Sequence, residues 1–424
     1  MIRLNKLDVP NSAAAMRAIR TLSEYFAYLG PALIVSMAYM DPGNFGTDIQ
    51  SGASFNYELL WAVWLANVMA MILQYLSGKL GIATGRSLPE LVKSSLKSRK
   101  LTLPYWLAAE IASAATDLAE YLGTVIALNI LFGIPLLYAA VLGAADVIIL
   151  LALTSERFRV IEYFFMLFVS IIGIGFLYQV ILIRPSLTQI VLHSVTPSIN
   201  ASSAFLVVGI VGATVMPHAL FVHSWLTKNK LKDASVEERR RLRRLHLREN
   251  LFALTIASLV NVGILVSAAG AFYPRFSGVS SINEAYTIMV PLFGYFAAAV
   301  FAVTLLFSGL ASSLTGTLAG QAIMDGLLGT RVNKYLRRMV TRVINVFPTT
   351  IAILAGLGPL SLLVYSQVAL SLLIPLPMIP LLLYTSRKDM MGEFVNRWTT
   401  NLVAVLSAGT IIALNAYLIY SFFA

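Results

Sequence analysis

The stretch AYMDPGNFGTDIQSG, residues 38–52, directly follows the apolar run YFAYLGPALIVSM at 25–37. A hydrophobic helix enters a bilayer there and meets an acid, a helix breaker, a glycine and an amide at its middle. Proline costs a helix interior roughly 3 kcal/mol. An Asp at the centre of a span adds about 2.5–3.5 kcal/mol on insertion scales. A chain that accepts both costs at one point is holding something there.

The surroundings are those of a membrane protein. Of 424 residues, 58% are hydrophobic and 12% charged, with a mean hydropathy of +0.79. That balance excludes an ordinary soluble domain and predicts an all-α polytopic membrane protein. Eleven stretches are long enough to span, at about 25–53, 56–84, 103–131, 135–154, 158–183, 202–228, 249–273, 291–327, 335–358, 360–384 and 399–423. Residues 1–24 lack the continuous apolar segment of a signal peptide and read as a cytosolic arm. Of the 31 Lys and Arg, Arg184 and Arg275 fall in loops on one side, and Arg342 falls inside a span. The rest lie in the arm, in the loops of the other side or at span ends facing them. This bias orients the chain in the plasma membrane with its N-terminus in the cytosol and its C-terminus outside. It also accounts for the net charge of +11 without a nucleic-acid partner. The run KNKLKDASVEERRRLRRLHLRE, 228–249, reads as a cytosolic loop near anionic headgroups. With no cysteine, thiolate metal ligation and disulfides are excluded.

One other short stretch combines a central breaker with polar or soft groups: GATVMPHALFVHSW, 212–225, in the sixth span. Span one opens a group of five and span six opens the next five, so the second group enters the membrane in the opposite sense. Two broken helices at matching places in inverted halves point to a transporter site at the bilayer midplane, in the LeuT-type five-plus-five pattern. The expected organisation is an arm at 1–24, a first repeat at 25–184 and a second at 202–384. A loop and an eleventh span follow at 385–424. A proline kink alone explains one such break; it leaves unexplained two that both carry ligand-type side chains.

The two breaks carry a particular donor set. Asp41 supplies a carboxylate oxygen and Asn44 an amide oxygen. The Ala38 carbonyl loses its donor where the first helix unwinds, and the Ala213 carbonyl does so because Pro217 has no N–H. Met216 adds a thioether. Hard oxygens with one soft sulfur and one negative charge suit a divalent cation, and the sulfur favours Mn, Fe, Co or Cd over Mg and Ca. His218 is open to reading as a proton acceptor or as a satisfied donor to backbone.

DPGN in the first span and MPH in the sixth resemble the Nramp (natural resistance-associated macrophage protein) family of divalent metal–proton symporters. GASFNYELLWAVWLANVMAMILQ, ATDLAEYLG, LTGTLAGQ and SQVALS extend the resemblance from about Gly30 to the end of span eleven. The resemblance implies that Asp41, Asn44 and Met216, with the carbonyls of Ala38 and Ala213, line the metal site, and that Gln367 joins them in some conformations. Ala219 departs from the MPHN of many relatives, which leaves the ligand set intact. The implied cargo is Mn2+ or Fe2+, also Cd2+ or Co2+, moved with protons by a monomer that has no resident cofactor and is no enzyme. The rival readings are a Mg2+ or organic-substrate symporter of the same fold, or a cation channel.

Proton coupling needs titratable groups within the bilayer. Glu110, Asp117 and Glu120 in the third span are seven and three apart, on one helical face. Such a face lines a polar interior rather than lipid. Arg337 and Arg338, with Arg342 deeper in the ninth span, are the natural counter-charges. Those pairs alone would also serve as a static network holding helices together. The family resemblance implies a route in which Asp117 takes a proton from the Asp41 region, supported by His218, His223, Glu110, Glu120, Arg337 and Arg338. Asn67 and Gln74 share a face of span two and either line the cavity or bond across helices. Asp146 has no clear partner, and Gly316 and Gly320 read as close-packing positions.

Overall fold

The computed structural model describes residues 30–144, 158–228, 234–278, 282–330, 333–356, 358–421 and 423. The expected arm at 1–24, Asp146 and residues 229–233 of the 228–249 run lie outside them. The helices are α1 (Pro31–Ala38), α2 (Pro42–Phe55), α3 (Leu60–Thr84), α4 (Leu88–Leu96), α5 (Arg99–Phe132) and α6 (Leu136–Gly143). They continue as α7 (Phe158–Ile183), α8 (Leu187–Val195), α9 (Ala201–Val215), α10 (Pro217–Lys228), α11 (Val236–Phe272) and α12 (Ile282–Phe293). The last are α13 (Tyr295–Ile323), α14 (Lys334–Leu354), α15 (Pro359–Leu373), α16 (Pro375–Thr385) and α17 (Trp398–Ser421). No strand occurs among the described residues.

Seven helices or jointed helices among the described residues are long and apolar enough to cross a membrane, matching the expected spans two, three, six, seven, eight, ten and eleven. An eighth joins Leu167–Ile183 to Leu187–Val195 through a 119° bend, so α8 turns sharply away from the line of the fifth span. The expected span one is two short helices of 8 and 14 residues, neither long enough to cross alone, and the apolar part of α14, Met339–Leu354, falls below the usual ~20 residues. The charged run does not end where the seventh span begins. Residues 236–249 are the first turns of α11, started by a capping box in which Ser235 and Glu238 satisfy each other's backbone N–H.

Each break is a proline at the first position of its second half-helix, where a missing N–H does no harm. Asp41 caps α2 and accepts from the Asn44 N–H at 2.9 Å. At the other break Met216 sits at φ 47, ψ 106, a left-handed backbone that costs a bulky residue of order 1–3 kcal/mol. Hydroxyls of α13 reach the backbone of the first half-helix and its break: Thr315 donates to the Ile34 carbonyl at 3.0 Å and Ser308 to that of Met40. Unwound backbone at this depth persists because protein donors replace water. The N-terminus of α1 is held by Glu249 of α11, whose Oε1 accepts from the N–H groups of Gly30 at 2.6 Å and Leu33 at 3.3 Å. An anion there also complements the helix dipole.

Packing brings the broken helices against a frame. α2 lies on α11, α9 on α15, α10 on α3, and α13 on α5. Glycines set the closest approaches. A Cβ on Gly123 of α5 would stand 2.1 Å from the Pro42 ring, and one on Gly212 of α9 would stand 1.8 Å from the Gln367 carbonyl oxygen.

Candidate metal-ion site

Four chain segments meet where the two breaks face each other. Asp41, Asn44, Met216 and Gln367 are all at most 1% exposed. Asn44 Nδ2 donates to Asp41 Oδ1 at 2.7 Å and to the Ala213 carbonyl at 3.1 Å. Its Oδ1 accepts from Thr214 Oγ1 at 3.2 Å and from Asn261 Nδ2 at 3.3 Å. The Gln367 amide lies over Gly43, where a Cβ would stand 2.3 Å from Nε2 and 2.8 Å from Asp41 Oδ2. Asp41 Oδ2 and Gln367 Oε1 have no hydrogen-bond partner among the described residues. Two buried acceptor oxygens near Gly43 therefore lack a protein donor among the described residues.

This arrangement says what Asn44 is doing. Its NH2 group takes both the Asp41 oxygen and the Ala213 carbonyl, the two acceptors expected of a cation site. A half-turn of the amide would aim Oδ1 at the same place. The reversed NH2 would then meet the Thr214 hydroxyl and Asn261, whose own Oδ1 has no partner among the described residues. A cation would make that exchange favourable, since it replaces one donor group with a full positive charge.

The structure brings Asp41, Asn44, Ala213 and Gln367 together. It leaves the Ala38 carbonyl at the end of α1, four residues before Pro42, and Met216 fully buried at the opposite break. Both carbonyls stand four residues ahead of a proline, so neither has the usual helical donor. Among the described residues no three His, Asp or Glu side chains gather as a conventional metal cluster. The donors here are one carboxylate, two amides, backbone oxygens and a thioether.

Sequence reasoning passed over three neighbours of the site. Asn261 and Thr214 hold the Asn44 amide. Asp48, 1% exposed on α2, has no partner for either oxygen among the described residues and lies within electrostatic reach of Asp41. It stands inside the stretch quoted at the outset, where a charge within a span was itself a signal.

The acids of α5 lie beside this site. His218, one residue past Pro217, places Nδ1 3.0 Å from the Thr116 hydroxyl, next to Asp117. Asp117 Oδ2 accepts from Asn345 Nδ2 at 2.6 Å and lies 3.8 Å from Arg342 Nη1. Arg337 pairs with Glu110 at 2.7 Å. The Arg338 side chain lies outside the described residues, and Arg342 is the arginine at Asp117. Gly316 and Gly320 of α13 do more than bring helices close. A Cβ would stand 2.7 Å from the Glu120 carboxylate at Gly316 and 1.6 Å from the Arg337 guanidinium at Gly320. Gln74 bonds across helices to His223 Nδ1 at 2.8 Å, whereas Asn67 turns back on its own helix to the Val63 carbonyl.

Comparison with known proteins places this geometry in a family. The model of natural resistance-associated macrophage protein-like chains matches residues 32–421. A divalent metal cation transporter MntH of Deinococcus radiodurans is 42% identical over 408 residues, 96% of this chain and 92% of that protein. One from Granulibacter bethesdensis is 43% identical over 398 residues, covering 93% and 88%. The crystal structure of a mutant manganese transporter from Eremococcus coleocola superposes with a TM-score of 0.84 at 30% identity, covering 99% of this chain and 91% of that one. Mhp1, a nucleobase-cation-symport-1 transporter, shares the fold alone, with a TM-score of 0.53 at 15% identity. With its two proline breaks and their facing donors inside the matched region, this chain belongs to the natural resistance-associated macrophage protein family.

Proposed function

We propose that this chain is a secondary transporter that carries a divalent transition-metal ion, Mn2+ or Fe2+ first and Co2+ or Cd2+ also, into the cytosol together with protons. It does so by alternating access, through an eleven-span, five-plus-five inverted repeat in the plasma membrane with its N-terminus inside. The observation that carries this reading is the convergence of Asp41, Asn44, the Ala213 carbonyl and Gln367 at two facing helix breaks, with Met216 beside them. Relatives named as divalent metal cation and manganese transporters support it. The breaks contribute the negative ends of α1 and α9, whose last carbonyls favour a cation.

The proton side rests on the neighbours. A dication that takes Asp41 as a ligand displaces any proton it carries. His218 leads from that region to Thr116 and Asp117. Asn345 and Arg342 receive Asp117, and the Glu110–Arg337 pair continues along the same face of α5. Glu120 and His223 flank the route. If this holds, Asp117→Ala leaves Mn2+ binding in place while uptake loses its pH dependence and its proton flux. Equal acidification by parent and variant would sink the route.

The test is uptake into proteoliposomes, with one dye for the metal and another for internal pH. Saturable Mn2+ entry accompanied by acidification is expected. Silence toward every metal would refute transport, and Mn2+ entry without acidification would refute coupling. Met216→Ala should keep part of the Mn2+ uptake while Ca2+ and Mg2+ compete on the order of tenfold better, because the remaining ligands are all oxygen.

A further inference from the structure

A second group of unpaired polar atoms is buried where α3, α10 and α11 meet, apart from the acids of α5. His223 and His246 are 0% and 2% exposed. Their rings stand edge to face with centroids 4.8 Å apart. Both turn Nε2 toward the bare backbone of Gly78, where a Cβ would stand 2.2 Å from His246 Nε2 and 3.1 Å from His223 Nε2. Neither Nε2 has a hydrogen-bond partner among the described residues, while the Tyr75 backbone lies within hydrogen-bonding reach of the His246 ring. Burying such an atom unpaired costs ~1–3 kcal/mol. A phenyl ring would fill the same space at no such cost, so packing alone does not explain two imidazoles here.

The surroundings fix their chemistry. Gln74 Oε1 lies 2.8 Å from His223 Nδ1, which puts the ring proton on Nδ1 and leaves the Nε2 lone pair facing the gap. That is how a protein orients a metal-binding histidine from behind. Tyr75 stacks on His246 with ring centroids 5.9 Å apart and so holds the second ring in place. The charges nearby are cations: Lys79 lies over the Tyr75 ring, 5.7 Å from its centroid, and Arg243 acts on Lys79. With two imidazoles as its ligands and cations as near neighbours, a metal ion would rest there briefly.

We propose that His223 and His246 form a second, transient site for a divalent transition-metal ion. It lies about 9 Å along α10 from the central break, toward Lys228 and the basic loops. Its place on the exit route rests on the transport reading; its metal binding does not. Two neutral imidazoles favour Co2+, Ni2+ and Zn2+ over Mn2+ and take no part in binding Mg2+ or Ca2+. The site therefore retards later transition metals on their way out and lets Mn2+ pass.

The test uses the full chain in detergent carrying Asp41→Ala, which removes the central carboxylate, and titrates it with Co2+. One Co2+ per chain is expected by calorimetry, with visible absorption stronger than that of the aquo ion. Adding His246→Phe keeps the stacking on Tyr75 and should weaken this binding at least tenfold. His223→Ala should do the same, with unchanged helix content in both. Co2+ bound equally well after either substitution, or with the spectrum of the aquo ion, overturns the site. With Asp41 present, His246→Phe should raise the Co2+ to Mn2+ uptake ratio in proteoliposomes several-fold, and an unchanged ratio would overturn the kinetic role. A parent chain that moves no metal yet binds Co2+ in this way would refute transport and leave the site standing.

Discussion

The Asn44 amide shows how closely one residue can be specified by its neighbours. It spans both breaks, joining Asp41 on one side to Ala213 and Thr214 on the other. That Asp41, Asn44 and the Ala213 carbonyl lie close together was legible from the order of residue types. Which atom of Asn44 faces Asp41 was not, because it depends on Asn261, distant in sequence and set in an apolar helix. His246 was hidden differently, inside a run of arginines that reads as a solvated face. Asp48 follows Asp41 by seven residues and adds a second buried carboxylate that shares no hydrogen bond with the first. A bound dication would favour its charged form and would meet Asp48 as a second negative charge rather than as a ligand. Asp48→Asn should therefore raise the KM for Mn2+ roughly tenfold, equivalent to about 1.4 kcal/mol, without changing competition by Mg2+. It should leave the metal-free chain no less stable at pH 8, since a buried unpaired carboxylate is removed. Competition assays and thermal unfolding check the two halves; altered Mg2+ competition would make Asp48 a ligand instead.

At the scale of elements, the breaks work because other helices finish their hydrogen bonding and close over them. Proline placed each break in the sequence, and the acids of α5 were legible from their helical spacing. The glycines were read as places where helices approach, but their partners are charged groups: Glu120 over Gly316 and Arg337 over Gly320. Spacing along one helix gives the face, while the partner comes from how α13, α5 and α14 pack together. Gly320→Ala puts a methyl group where the Arg337 guanidinium lies. Arg337 is 8% exposed and paired to Glu110, so it has little room to yield. The substitution should cost ~1–3 kcal/mol and break the ion pair as it does so. In a double-mutant cycle with Glu110→Gln, the two costs should fall short of adding by about 1 kcal/mol or more. Additive costs in thermal unfolding would mean that Gly320 serves backbone packing alone.

For the molecule as a whole, net charge and loop bias announced one strongly basic face, and the structure shows how that face holds together. A cavity of about 960 Å³ opens there, lined by Arg86, Lys93, Lys97 and Arg99 together with Glu90 and Asp325. Glu90 of α4 ties the cavity wall to the central machinery. Its Oε1 accepts from Lys228 Nζ, at the end of α10, at 2.6 Å, and its Oε2 accepts from the Ser87 N–H at 2.7 Å. The Leu88 N–H donates to Ser224 of α10 at 2.9 Å, and Pro89 packs against Gly326 just past the end of α13. α4 thus clamps the far end of the second broken helix to the frame. The Ser87–Glu90 capping box is a local pattern, but the Lys228 partner was not legible in sequence, because it lies 138 residues away on another helix. Burial pushes the Glu90 pKa up, but Lys228 and the Ser87 donors outweigh it and hold it below the usual carboxylate range. A depressed folded value means that the clamp is at full strength above the unfolded pKa and is lost as pH falls through the folded one. Glu90→Gln should therefore loosen residues 224–228 at pH 7 by about 1 kcal/mol, roughly a fivefold faster hydrogen exchange. The difference should vanish once acid has protonated Glu90 in the parent chain. Hydrogen exchange of α10 at pH 7 and in acid well below the ordinary carboxylate range separates this from a merely steric role, for which the gap between parent and variant would persist in acid.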